Sequence, residues 1–476
     1  MKPHNPAQVA SQLLSRHNCT LVTCVSIQRL WAGYGSICAI TARANSDGAA
    51  KHIAGICDPN SDSLASGKAR VKKGDEFKLI LKLITAPESS GRGIDEGHLR
   101  KMFSYEVERY FYEVIVPELD GLDVARCLAL TGNGAQSRDG PVNLEEEEGE
   151  EEGLRGCMAI LMADLRNLFP VSGEKRSILS SVQVFGSLEW LAKFHARSWE
   201  LGIGLGGRSR LGSRSGSGFR DGDGEVNGEQ GFDYILPPLE EHARREKQKQ
   251  VGGDIGQNVW LNGGYTYLST RRKEYDSLAE DDSEWSSAFC HPFSSSTAMA
   301  TGTGLRSTAE VVALCLTPRG RAMESLIHGD VKSENLFTSV SGEKVAFFDF
   351  QYVGLGLGVC DLAKLFTCSV SVDMLLASDF EDHLVPDSLP MCSGEKELLE
   401  RYRETLLRSQ SQEFYDWDIF LRHWETALVD WCRFQASWGF WGNTEWLEAR
   451  VRFILNDQGW RDWLENDIKK MQSLKV

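Results

Sequence analysis

No apolar run in this sequence approaches the roughly 20 residues that a membrane-spanning helix needs. The N-terminus also lacks a continuous apolar core for a secretory leader, since Pro3, His4, Asn5 and Pro6 lead into the mixed stretch from Gln8 to Asn18. Positive charge is in deficit: the formal net charge is −16, and Glu145–Glu148 with Glu150–Glu152 supply seven of those charges, leaving −9 elsewhere. An acidic chain repels phosphate backbones, which argues against a nucleic-acid partner. The twelve cysteines show no CxxC spacing. With Cys38, Cys157, Cys315 and Cys360 set in apolar stretches, they read as reduced core residues, and the expected compartment is the cytosol. No Cys/His cluster has ligand spacing, so a zinc site is not expected.

The remaining 41% hydrophobic composition over 476 residues suffices for one large core or two lobes. Cys24 to Ala42 alternates with β-branched residues around a Gly-containing turn and predicts a hairpin. The polar stretch 44–74 reads as a surface loop. Phe77–Ile84 predicts a third strand, and Leu99–Val116 carries helical periodicity up to Pro117. Residues 131–153, Gly-rich and then Glu-rich, cannot bury enough apolar area to offset chain entropy and read as a disordered insertion. Met158–Asp164 predicts a strand, and Ser180–Trp199 an amphipathic helix with Val184, Leu188, Leu191 and Phe194 on one side. The Gly/Ser/Arg tract 202–231 and the Ser/Thr/Gly-rich stretch 283–308 are read as further insertions. From Gly394 onward the patterning is helical. There Trp417, Trp424, Trp431 and Trp438 recur every seven residues, a stripe expected to pack in the core, with a ligand-lining role as the alternative.

The strongest chemical signal is His328-Gly329-Asp330-Val331-Lys332-Ser333-Glu334-Asn335, followed after one expected hairpin by Phe347-Phe348-Asp349-Phe350-Gln351. Phosphoryl transfer from ATP needs a carboxylate to orient the attacking hydroxyl and oxygen ligands to hold Mg²⁺ against the triphosphate. A loop carrying Asp330 and, five positions on, Asn335 can supply the base and one metal ligand, and Asp349 can supply the second. Gly33, Gly35 and Ser36, at the first hairpin, would let backbone N–H groups approach phosphates, although two glycines there are also ordinary turn chemistry.

These residues resemble the kinase-like superfamily. Gly329 within His-Gly-Asp makes the sequence more similar to the aminoglycoside and choline phosphotransferases than to protein kinases. It is most similar to the ecdysteroid-kinase-like group, through Trp31-Ala32-Gly33-Tyr34-Gly35-Ser36, Tyr105-Glu106-Val107-Glu108, Ala163-Asp164-Leu165 at the hinge, Leu191 to Ala196, and Asp361-Leu362. The resemblance implies Asp330 as catalytic base, Asn335 and Asp349 as Mg²⁺ ligands, Lys82 on the α/β phosphates paired with Glu108, and Asp164 at the nucleotide site. Lys78 lies on the same strand face as Lys82, and Lys82 is preferred because apolar residues flank it more fully. Glu108 could instead pair along its own helix. His328 would anchor the catalytic loop, and Lys332 would touch the transferred phosphate or be a plain surface lysine. Asp361 would brace the loop or cap a helix, and His195 reads as a satisfied core histidine. Asp430 and Arg433 are expected to form an intrahelical ion pair.

The Gly turn lacks a full GxGxxG, and no Ala-Pro-Glu stretch follows Asp349, which disfavours a protein substrate. The expected architecture is α+β and bilobal, of protein-kinase-like fold: a small antiparallel sheet lobe over 20–165 and a mainly α-helical lobe over 166–476, with ATP between them. The expected activity is ATP- and Mg²⁺-dependent transfer of the γ-phosphate to a hydroxyl of a small molecule. A nucleotide-binding pseudokinase or a protein kinase are the alternatives.

Overall fold

A computed structural model of the chain describes residues 4–59, 71–86, 95–131, 154, 157–203, 234–250, 258–293, 300–301, 304–379 and 385–473. The insertions read over 131–153 and 202–231 lie, but for their first residues, outside them. The class is α+β, as the sequence predicts. Two compact units divide the chain, one comprising 1–171 with 346–348 and the other 172–345 with 349–476.

The first unit is built on a five-stranded antiparallel sheet in the order β1-β2-β3-β5-β4. Its strands are β1 (Cys19–Arg29), β2 (Gly35–Ala44), β3 (Glu76–Ile84), β4 (Cys127–Leu130) and β5 (Met158–Ala163). β3 lies between β2 and β5, with Lys82 opposite Ile37 on one side and Ile160 on the other. Leu79, Leu81 and Leu83 join Ile40, Leu161 and the buried face of an N-terminal helix, α1 (Pro6–Ser15), in one core. Each such side chain contributes roughly 1.5–3 kcal/mol on burial.

The reading of 44–74 as a loop is corrected in part. Asp47–Cys57 forms a helix, α2, because Ser46 caps it by accepting from the Ala49 amide and Asp47 complements the dipole. Its apolar residues Ala49, Ala50, Ile53 and Ala54 are buried beneath a polar composition that reads as a loop. α3 (Glu96–Tyr110) follows, capped by Asp95, and runs into a π turn at Phe111–Ile115.

In the second unit, α4 (Ser181–Glu200) buries Val184, Leu188, Leu191 and Phe194 as the periodicity predicts, and a reciprocal Ser180–Gln183 capping box starts it. Next come α5 (Pro238–Gln250), α6 (Arg272–Ala279), α7 (Glu284–Cys290) and α8 (Thr308–Leu316). α7 corrects the reading of 283–308 as wholly irregular: Ser283 caps it and Trp285 and Phe289 bury it. Short strands β6 (Ser325–Ile327), β7 (Leu336–Thr338), β8 (Val345–Phe347, whose last two residues belong to the first unit) and β9 (Gly354–Gly356) precede α9 (Val359–Ser369) and α10 (Val372–Leu376). β6 and β9 pair antiparallel, Ile327 opposite Gly354. The C-terminal region is helical, as expected, through α11 (Ser393–Leu406), α12 (Trp417–Trp438), α13 (Thr444–Asn456) and α14 (Gln458–Ser473). Arg450 on α13 and Glu395 on α11 pair at 2.8 Å, both fully buried, and the Trp424 indole donates to the same carboxylate at 2.8 Å. No helix among the described residues is long and apolar enough to cross a membrane.

Candidate active site

The β6–β9 pairing explains how two distant motifs meet. β6 runs directly into His328-Gly329-Asp330, and β9 follows directly after Asp349 to Val353, so the antiparallel register lays one connection beside the other. The His328 and Phe350 rings lie 4.7 Å apart. Gly329 has φ +83°, and a Cβ there would stand 2.4 Å from the Tyr352 carbonyl oxygen and 2.8 Å from Gly264 Cα. Glycine is therefore required at this place both by dihedral and by space.

One buried carboxylate holds the loop. Asp361 Oδ2 accepts from the His328 amide at 2.6 Å, and Oδ1 accepts from the Gly329 amide at 2.9 Å. His195 Nε2 lies 3.2 Å from the same Oδ2, and His195 Nδ1 lies 2.7 Å from the Tyr402 hydroxyl. Burial pushes the Asp361 carboxyl up, but the His195 hydrogen bond and the charges of His195, Lys364 and His328 outweigh it and hold the group below its usual value. Asp361 sits inside the first turn of α9, whose N-cap is Gly358, so the helix-capping alternative is corrected. His195 is fully buried and partnered on both nitrogens, as a core histidine should be. Lys364, one turn further on α9, donates to the Gly329 carbonyl at 2.6 Å. Sequence reading assigned it no role, although its i,i+3 spacing from Asp361 puts both on one helix face.

Asp330 follows this braced segment. His328 Nδ1 accepts from the Asp330 amide at 3.2 Å, which makes His328 an anchor of the loop. Asn335 Nδ2 donates both to the Asp330 carbonyl at 2.8 Å and to its Oδ2 at 3.0 Å. Lys332 Nζ lies 3.1 Å from Asp330 Oδ2 and 3.0 Å from Glu334 Oε1. Burial pulls the Lys332 ammonium down, but the Asp330 and Glu334 charges outweigh it and hold it above its usual value, so it stays a cation. Asp349 is left-handed, at φ 65° and ψ 58°, and its Oδ1 accepts from Gln351 Nε2 at 2.7 Å. A non-glycine residue there costs about 1 kcal/mol, a strain that clusters at working sites.

In the first unit, Lys82 and Glu108 form a buried ion pair at 2.5 Å, and Lys82 lies 5.6 Å from the Tyr105 ring centroid. Lys78 is exposed, so burial separates the two lysines where alternation did not. Asp164 caps the turn Leu165–Asn167 and binds the Arg166 guanidinium at 2.7 Å, which commits its carboxylate locally. Gly33 and Gly35 have φ +78° and +134°. A Cβ on Gly35 would stand 2.0 Å from the Leu83 carbonyl oxygen, while the space at Gly33 is open. The Gly33 amide donates to Leu30 and the Gly35 carbonyl accepts from the Leu30 amide, so turn closure accounts for these glycines. Ser36 opens β2, its Oγ 3.9 Å from Cys38 Sγ.

Asn335 and Asp349 offer oxygen donors, the chemistry that Mg²⁺ prefers, and the Asn335 amide oxygen accepts no hydrogen bond among the described residues. Those residues include no cluster of three or more His, Cys, Asp or Glu that could hold a metal on its own. A two-ligand set is the type completed by nucleotide phosphates and water. The donor set thus fits Mg-nucleotide.

Residues 302–389 match the phosphotransferase enzyme family. That segment contains Asp330, Asn335, Asp349 and Asp361. No curated protein sequence matches the chain. Among solved structures, the chain is similar to an ethanolamine kinase of Plasmodium vivax, at 11% identity over 94% of this chain and 83% of that one, with TM-score 0.34. A macrolide 2′-phosphotransferase of Brachybacterium faecium aligns at 12% identity over 97% and 98%, with TM-score 0.32. A choline kinase of Cryptosporidium parvum aligns at 11% over 96% and 89%, with TM-score 0.31. Similarity at this level transfers no chemistry to this chain.

Proposed function

We propose that the chain is an ATP-dependent phosphotransferase that acts on a hydroxyl of a small molecule. The observation that carries the reading is the Asn335 amide clamped across the Asp330 main chain and carboxylate, inside a loop pinned by Asp361. A carboxylate held by Asn335 and Lys332 can orient an acceptor hydroxyl and take its proton as the oxygen–phosphorus bond forms. Bound Mg-ATP supplies the phosphoryl group and leaves as ADP with the bond's electron pair. Asn335 and Asp349 would hold the metal. Lys332 remains a cation beside Asp330, suited to the charge of a transferring phosphoryl group. Lys82, its charge kept by Glu108, would steady the α/β phosphates. The finer resemblance to the ecdysteroid-kinase-like group, and a cytosolic location, belong to this proposal.

The test is ADP release from Mg-ATP with a pool of hydroxylated metabolites, for the wild type and Asp330→Asn. Turnover is expected to fall by about 10²–10⁴-fold with unchanged circular dichroism. Equal turnover in the folded variant removes Asp330 from the chemistry. Label transfer to protein in a mixed extract, with none to metabolites, would overturn the acceptor class.

A further inference from the structure

Within the second unit, α7, the end of α13 and the start of α14 border a groove of ≈ 360 Å³ that takes no part in the proposed phosphoryl transfer. Its size is that of a small-molecule site. Ala288, Pro292 and Leu455 give it an apolar side, and His291, Asn456 and Arg461 a polar one. Trp285 also lines it, but Phe289 stacks on that ring at 5.4 Å and Arg452 lies over it at 5.3 Å, so it is a fixed wall and not a free stacking face. The groove lies far from the His328–Asn335 loop. Asp457, which follows Asn456, pairs at 2.7 Å with Arg422 of α12, and Arg422 is nine positions from Trp431, the α12 ring that lies 5.9 Å from Lys364. Nine helical residues span roughly 13 Å.

The two arginines that line the groove differ in what they have left to offer. Arg452 donates to both carboxylate oxygens of Glu284, at 2.9 Å to Oε2, and to the Asp387 carbonyl at 3.2 Å, so its charge is committed. Arg461 stacks on Phe293, its guanidinium carbon 4.4 Å from the ring centroid, and donates through Nη2 to the Phe293 carbonyl. It has no carboxylate partner among the described residues. The acidic residues four positions to either side of it are engaged elsewhere, Asp457 with Arg422 at 2.7 Å and Glu465 with Lys469 at 2.8 Å. The stacking thus holds a half-buried guanidinium in place with N–H groups to spare at the groove. A fixed guanidinium fork matches a planar carboxylate. One uncommitted positive charge suits a monoanion, and Glu284 at the same groove disfavours a dianion such as a phosphate ester.

We propose that this groove binds a small organic acid, a monocarboxylate with an apolar body, whose carboxylate lies on Arg461 and whose body lies against Ala288, Pro292 and Leu455. His291 and the Asn456 side chain supply further polar contacts at the rim. The proposal stands on the second unit alone and does not depend on the role given to Asp330.

The probes are 3-phenylpropionate, its neutral amide 3-phenylpropionamide, and inorganic phosphate, each titrated calorimetrically into the full chain at millimolar concentrations. The acid is expected to bind about tenfold more tightly than the amide, the ratio that a charge-assisted hydrogen bond accounts for. Arg461→Met keeps an unbranched chain on Phe293 and removes the charge, and should bring the ratio to about one, whereas Arg461→Lys should restore part of it. Ala288→Leu, which fills the groove from its half-buried apolar side, should weaken both probes and keep the ratio, a second readout if Arg461→Met fails to fold. A non-hydrolysable Mg-ATP analogue should leave the acid bound. Equal binding of acid and amide, binding of neither, a ratio untouched by Arg461→Met, tighter binding of phosphate than of the acid, or displacement of the acid by the nucleotide would each overturn the proposal. Loss of Mg-ATP turnover in Asp330→Asn bears on the catalytic reading alone.

Discussion

The loop from His328 to Asn335 and the glycine turn from Leu30 to Ser36 are both short connections at sites singled out by sequence, and they are stabilised in opposite ways. The turn closes on itself: the Leu30 amide donates to the Gly35 carbonyl, and the Gly33 and Tyr34 amides donate back to Leu30 and Trp31. The His328–Asn335 loop is held from outside, by Asp361 and Lys364 on α9 and, behind Asp361, by His195 on α4 and Tyr402 on α11. A self-closed turn needs only a local dihedral preference. A loop that must present a carboxylate at one orientation takes its geometry from side chains far away in sequence, because short-range preferences leave it too many conformations.

Substitutions can break or sharpen this contrast. Asp361→Asn removes a buried charge that accepts from two loop amides and His195, and should cost about 3 kcal/mol in denaturant titration. Turnover should fall by about 10²-fold as Asp330 loses its placement. Full activity in that variant would mean the loop holds its own shape, and the contrast would fail. Gly35→Ala comes next, about 2 kcal/mol, since its methyl would collide with the Leu83 carbonyl in a conformation that L residues rarely adopt. Gly33→Ala is the smallest, about 1 kcal/mol, for the dihedral alone, because no atom lies within 4 Å of its Cβ position. If both glycine variants cost the same in thermal denaturation, space plays no part at Gly35.

Much of the sheet and of the loop is legible in the sequence. β3, β5, α4 and the C-terminal helices announce themselves through period, and Asp330, Asn335 and Asp349 through spacing. Asp430 and Arg433 pair at 2.7 Å as the helical interval predicts, and Arg433 also reaches the Thr266 carbonyl. What escapes has a common cause. α1, α2 and α7 are short amphipathic pieces whose caps and buried alanines or aromatics are diluted by polar neighbours. Gly264, Tyr265 and Arg271 belong to no motif, because their contacts are with backbone or across long separations. The turn glycines show the converse: a residue type that phosphate loops favour is explained here by closure of a hairpin.

The face-to-face meeting of Gly264 and Gly329 leaves no side chain to adjust between two strands of main chain more than sixty positions apart. A methyl on Gly329 would displace Gly264, and one on Gly264 would press on the Lys364 ammonium in a conformation that L residues rarely adopt, so the seat of the Asp330 carboxylate is insulated from gradual drift. Trp438, 55% exposed, stands outside that lock, on a surface where one side chain can be exchanged at a time. The exposed end of α12 can thus vary while the main-chain seat of His328 to Asp330 stays fixed.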